Sequence, residues 1–227
     1  MSRCKGLVVA IDGTAGTGKS TVGQAAAQVL GYSFLSTGLL YRALAYTVFA
    51  KKINPSDAEA VLAAAQALQF TFERQSDAML KMYVDGEYLG NKLQLDEVAQ
   101  TASKISTQAA ARAVLTEKMR EAGQDGGIIM EGRDIGTVVF PDAEVKLYLD
   151  ASAEVRADRR VKQLQAQGVA ADYEKILASI KERDLRDSTR AASPLKPAPD
   201  AIKIDTSRMS RQEVIEVVVK EIKRHAA

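Results

Sequence analysis

The sequence predicts a single α/β domain on a doubly wound parallel sheet with a small β-rich insertion, and three observations support that class. Short apolar runs rich in β-branched residues alternate with helix-length segments along most of the chain, the pattern of a parallel sheet covered on both faces. A glycine-rich turn joins the first of these runs to the first helical segment. The length, 227 residues with 46% hydrophobic and 26% charged side chains, suits one domain with an inserted lobe and is short for two independent ones.

Residues 6–12 (GLVVAID) form a continuous apolar run that reads as a buried strand. The alanine-rich stretch 19–30 reads as a helix, closed by Gly31 at the position where a left-handed cap is favoured. A brief second strand is expected over 33–35 and a helix from Thr37 to about Lys52. Ser56-Asp57-Ala58-Glu59, just after Pro55, has capping-box spacing and predicts another helix start.

Near Phe70 the pattern shortens. Strand-like pieces are expected at 70–73, 79–84 and 87–89, with Asp85-Gly86 as a hairpin turn between the last two. Helical sequence resumes over 96–122. Residues 70–106 are therefore expected to form the inserted lobe within a domain spanning 1–227. Strands are predicted again at 127–131, 144–150 and 201–205. Charged amphipathic helices are expected at 153–167 and 172–190, a proline-bearing loop at 193–200, and a C-terminal helix opened by a second capping box, Ser210 to Glu213.

Composition narrows the functional classes. A formal net charge of +2 argues for neither a nucleic-acid nor a membrane surface. The one cysteine, Cys4, cannot form an internal disulfide, and the one histidine, His225, stands at the far end of the chain, so a Cys–His nucleophile is not expected. The apolar run at the N-terminus is too short for a signal peptide and none elsewhere approaches a membrane span, which leads us to expect a cytoplasmic protein.

Gly13-Thr14-Ala15-Gly16-Thr17-Gly18-Lys19-Ser20 satisfies G-x-x-x-x-G-K-[ST], with a predicted strand before it and a helix after it. Glycines allow the backbone to wrap a phosphate chain with its N–H groups inward, and the helix adds its positive end. Lys19 can bridge the β- and γ-phosphates, Ser20 can offer its hydroxyl to Mg²⁺, and Thr21 can add a phosphate contact. This predicts a nucleoside triphosphate with Mg²⁺ without choosing among P-loop families.

Arginines recur where strands and helices should meet. Arg42 follows Tyr41 just past the second strand, and Thr37 and Tyr41 lie four apart on one helix face. Arg133 and Asp134 sit between glycines directly after the 127–131 strand, at the ligand edge of an open parallel sheet. Arg183, Asp187 and Arg190 line one helix face. Alone, that last spacing, like Arg156, Arg159 and Arg160 in the preceding helix, also reads as a salt-bridged solvated surface. Several such segments at element ends favour an anion site, because the guanidinium fork donates two hydrogen bonds at once to phosphate.

The segments GTAGTGKST, STGLLYRALA, EGRDIGTVVFPDA, YLDASAEVRADRR and IKERDLRDSTRAASPL together resemble bacterial cytidylate kinases, over nearly the whole chain. The resemblance implies that residues 13–21 hold the phosphates of ATP, and that Arg42, Arg133 and Arg190 hold the 5′-phosphate of CMP or dCMP. It implies that Arg183 and Asp187 read the ribose, and that Ser103, Arg112 and Asp134 read cytosine with Tyr41 and Thr37 nearby. Arg156, Arg159 and Arg160 would belong to a mobile lid within the 153–192 helices, and residues 206–208 would lie beside adenine. Lys19, Arg133, Arg159 and Arg190 become the catalytic candidates, acting by charge neutralisation. The family often has Asp where this chain has Ser36 and Glu131, which bears on the surroundings of the metal.

The expected reaction is ATP-dependent phosphorylation of CMP and dCMP by a monomer. A P-loop kinase acting on another acceptor is the nearest alternative. A GTP-driven switch would need N-K-x-D, and Asn91-Lys92-Leu93-Gln94 lacks the Asp. A purely regulatory nucleotide-binding module would not need arginines for a second phosphate.

Overall fold

The computed structural model describes residues 3–226. The strands β1 (Val8–Gly13), β2 (Ser33–Ser36), β5 (Ile128–Gly132), β6 (Val145–Asp150) and β7 (Ile202–Asp205) form one sheet in the order β2-β5-β1-β6-β7. Every pairing in it is parallel. The helices α1 (Lys19–Leu30), α2 (Gly38–Ala50), α3 (Ala58–Ala67), α4 (Asp96–Ile105), α5 (Ala109–Gly123), α6 (Ala153–Ala166), α7 (Tyr173–Thr189) and α8 (Arg211–Ala226) supply the crossovers and cover the sheet. A separate antiparallel pair, β3 (Phe70–Arg74) with β4 (Leu80–Val84), makes the β-rich insertion.

The uninterrupted apolar run of β1 follows from this topology. Val8 and Ala10 join the core beneath α2, α3 and α5, while Val9 and Ile11 join the opposite core with residues of α1 and α8. Alternate side chains of one strand therefore enter two different buried layers, which is why residues 8–11 are all apolar.

The insertion is built differently from its sequence pattern in two respects. Residues 87–89 form no strand: Asp85-Gly86 closes only a single antiparallel bridge between Val84 and Glu87. The hairpin turn of the two-stranded sheet lies instead between β3 and β4, where the Asp77 carboxylate accepts from the Met79 amide. The helical stretch 96–122 is broken at residues 106–108 into α4 and α5. The α3 cap also sits one residue later than the expected box, since Asp57 accepts from Ala60 N at 3.0 Å. By contrast Ser210 and Glu213 form the reciprocal box expected of α8. Leu80, Met82, Val84, Leu93, Val98 and Ile105 share the core of α2 and β5, so the insertion is continuous with the body of the domain.

Candidate functional site

The carboxyl ends of β1, β2 and β5 open into one cavity of about 640 Å³. Parallel sheets place ligands at this edge because loops, helix N-termini and free backbone amides converge there.

On the donor side, β1 ends at Gly13, whose φ of 147° leads into the phosphate loop. A Cβ there would lie 1.9 Å from the Leu149 carbonyl oxygen, so no other residue lets β1 pass β6 this closely. Gly18 caps α1 in the left-handed region, and the loop lines the cavity with Ala15, Gly16 and Gly18 beside the start of the helix. Lys19 is buried, its ammonium donating to Thr14 O at 2.6 Å. Burial, and then the nearby Arg133 charge, push its pKa down to about 7, against the opposing pull of Glu131 and Asp12. Ser20 and Ser36 both donate to Glu131 Oε1, at 2.9 and 2.5 Å. The serine at position 36 therefore serves the carboxylate of β5 rather than adding a second one.

On the acceptor side, β5 runs into Arg133 and Asp134 and then a π-helical turn, Ile135–Val139. Arg133 Nε donates to Asp187 at 3.0 Å, which joins this loop to α7. Asp134 forms a buried ion pair with Arg112 of α5, and Arg190 Nη2 stands 3.8 Å from its second oxygen. The Arg112 guanidinium also lies 5.2 Å from the centre of the Tyr41 ring. Burial pushes the Tyr41 hydroxyl up to about 12, so it remains a neutral group. Arg112 Nε and Arg190 Nη2 are buried donors without a hydrogen-bond partner among the described residues. Two orphaned guanidinium N–H groups around a carboxylate make a donor–acceptor edge suited to a polar heterocycle or an anion.

The structure brings every acceptor-side candidate to this one cavity: Thr37, Tyr41, Arg42, Ser103, Arg112, Arg133, Asp134, Arg183, Asp187 and Arg190 all line it. Several are engaged in the protein itself. Thr37 donates to Glu131 O, Arg42 to Leu93 O, and Ser103 accepts from Arg186 at 2.7 Å. Among the lid candidates, Arg159 lines the cavity while its guanidinium holds Thr206. Arg160 is turned to Gln163 at the surface. Arg156 is buried and donates to Ala15 O and the Asp184 carboxylate, so in this structure it braces the phosphate loop against α7.

Sequence reasoning passed over Asp12, Asp184 and Arg186. Asp12 alone carried a readable signal, a carboxylate at the end of an otherwise apolar strand. Its two oxygens accept from Ile135 N and Gly136 N, both at 2.8 Å. Burial pushes its pKa up to about 6, the two amides pulling the other way.

The phosphate loop, the parallel sheet and the arginine-lined second half of the cavity define the class of P-loop phosphotransferases. Comparison with known proteins narrows this. The family model described as cytidylate kinase matches residues 9–224. A cytidylate kinase of Pasteurella multocida is 41% identical over 96% of both chains. One of Mycolicibacterium paratuberculosis is 47% identical over 92% of both. A solved structure of an uncharacterized protein from Eubacterium ventriosum superposes with a TM-score of 0.51 at 13% identity, covering 97% of this chain and 99% of that one, a likeness of fold alone. The chain belongs to the cytidylate kinase family.

Proposed function

We propose that the protein transfers the γ-phosphoryl group of ATP to the 5′-phosphate of CMP and dCMP. The observation that carries this reading is the cavity in which a phosphate cradle faces five arginines, with a paired Arg112–Asp134 edge beyond them. In this reading residues 13–21 hold the triphosphate, with Lys19 on the β- and γ-phosphates. Arg42, Arg133 and Arg190 hold the acceptor phosphate, Arg183 and Asp187 the ribose, and Ser103, Arg112 and Asp134 the base. All of these groups come from one chain, which suits a monomer.

The acceptor is already an anion near neutral pH, so no general base is needed. One acceptor-phosphate oxygen bonds to the γ-phosphorus while the bond to the β–γ bridging oxygen breaks and its electrons leave with ADP. The protein's task is to align two mutually repelling anions and spread their charge over fixed donors. Among the described residues no cluster of three His, Cys, Asp or Glu side chains could cage a metal. Mg²⁺ fits the Ser20 hydroxyl with Glu131 behind it, because it keeps most of its water and takes phosphate oxygens as ligands. When bound it would neutralise charge on the β- and γ-oxygens. Asp134 can accept from the 4-amino group of cytosine, whereas the carbonyl of uracil would leave it unpaired.

A coupled ADP-release assay with ATP and Mg²⁺ against CMP, dCMP, UMP, AMP and dTMP tests this directly. Turnover confined to CMP and dCMP is the expected result. Strong turnover of another nucleotide would discard the base-reading residues, and inactivity with all five would discard the kinase reading.

A further inference from the structure

The sheet ladder registers Asp12 of β1 against Gly132 of β5, and there it ends. Beyond Gly132 the chain leaves the sheet to present Arg133 and Asp134, then enters the π-helical turn. The side-chain tethers of Arg133 and Asp134 run to Asp187 of α7 and Arg112 of α5. Neither fixes the loop to the phosphate cradle. The Asp12 carboxylate does, through the amides of Ile135 and Gly136, from the position directly before Gly13.

We propose that Asp12 is a positioning residue that registers the acceptor loop against the phosphate cradle, and so sets the placement of the two reacting phosphates relative to each other. The proposal rests on the kinase reading above. Asp12 is 4% exposed and has no Lys or Arg nitrogen within 4.0 Å among the described residues, so its charge is held by the two amides rather than by a salt bridge. Only a group with two acceptor oxygens and no donor can take both N–H groups; an asparagine in the same place would turn its own NH₂ against one of them. Small displacements of a positioned group weigh heavily in phosphoryl transfer, where alignment supplies most of the rate.

The test compares the full-length wild type with Asp12→Asn, with Asp12→Glu as the second variant, in steady-state kinetics varying CMP and ATP separately, alongside thermal unfolding. Expected for Asp12→Asn is a rise of about tenfold in KM for CMP and a fall of about tenfold in kcat, with KM for ATP within about twofold. Asp12→Glu keeps the charge on a longer arm and should show the same split in milder form. Folded variants whose kinetic constants stay within about twofold of wild type, with only Tm altered, would overturn the proposal, as would a loss confined to KM for ATP. If Asp12→Asn fails to fold, the split in Asp12→Glu decides. A wild type inactive with CMP would instead remove the kinase reading and this inference with it; an active wild type beside an unaltered Asp12→Asn removes the inference alone.

Discussion

The two halves of the cavity are made by different means. In the proposed reading the donor half is one contiguous stretch from Gly13 to Thr21, whose binding groups would be mainly backbone amides shaped by glycine and by the start of α1. The proposed acceptor half draws on α2, α4, α5, the loop after β5, and α7, and its candidate binding groups are side chains held by one another: Arg133 on Asp187, Arg112 on Asp134, Arg186 on Ser103. Backbone groups are common to all nucleotides and read only phosphate. Interlocked side chains carry the donor–acceptor pattern that can tell one acceptor from another. A cradle can therefore be shared across P-loop kinases, while specificity resides in the part assembled from distant segments.

The largest effect should come from the donor half. Lys19→Ala is expected to lower kcat by at least about a thousandfold, since in the proposed reading it removes the cation placed on the β- and γ-phosphates. The fold should survive unchanged or slightly strengthened, because a buried ammonium is itself unfavourable. Circular dichroism and thermal unfolding beside the kinetic assay would check both parts. A variant keeping more than about a tenth of wild-type activity would break the division of labour between the halves.

In the acceptor half the smaller but more informative quantity is a ratio. Arg112→Ala and Asp134→Ala should each reduce the preference of kcat/KM for CMP over UMP by about 10- to 100-fold. Asp134→Ala also leaves the buried Arg112 charge unpaired, so a stability loss of about 3 kcal/mol is expected in urea unfolding, whereas Arg112→Ala leaves Asp134 its longer ion pair with Arg190 and should cost less. The ratio, measured on the folded fraction, separates base reading from mere support. Unchanged discrimination in both variants would assign the pair a purely structural role.

The same contrast explains what could be read from the chain. The strands β1, β5 and β6, their crossover helices and the whole phosphate loop were legible, because periodicity and a contiguous motif record them locally. In the acceptor half, spacing and element ends pointed to Arg42, Arg133, Asp134, Arg183, Asp187 and Arg190 as an anion site, but Ser103, Arg112 and each residue's separate role were reached by resemblance, since no local pattern links Arg112 to Asp134 across 22 positions or Arg133 to Asp187 across 54. The misread strand at 87–89 has a similar origin: Asp85-Gly86 is a genuine turn, but the residues after it find no partner beyond Val84, and their apolar member Leu89 is buried in the helical core instead. Arg156 shows the limit most clearly. Its place in a charged helix gave no hint that it would be buried against Ala15 O and Asp184.

Asp12 stands at the junction of the two halves, and its ionisation offers the subtlest test of how they are joined. Its folded pKa of about 6 lies above the ordinary 3.8. Between those values the folded state keeps a proton that the unfolded state has lost, so this group makes stability fall as pH rises from about 4 to 6, with the full penalty present above 6. Asp12→Asn lacks that term. The stability of wild type relative to Asp12→Asn should therefore drop on going from pH 4 to pH 7, by at most about 3 kcal/mol. Urea unfolding of both proteins at several pH values measures it, and other titrating groups cancel in the difference. A flat difference would mean that the amides of Ile135 and Gly136 fully repay the dehydration of the carboxylate, making the junction rigid and electrostatically neutral. The expected slope would mean that the protein tolerates a destabilising ionised group at this position, a choice better explained by the alignment of the two phosphate sites than by stability.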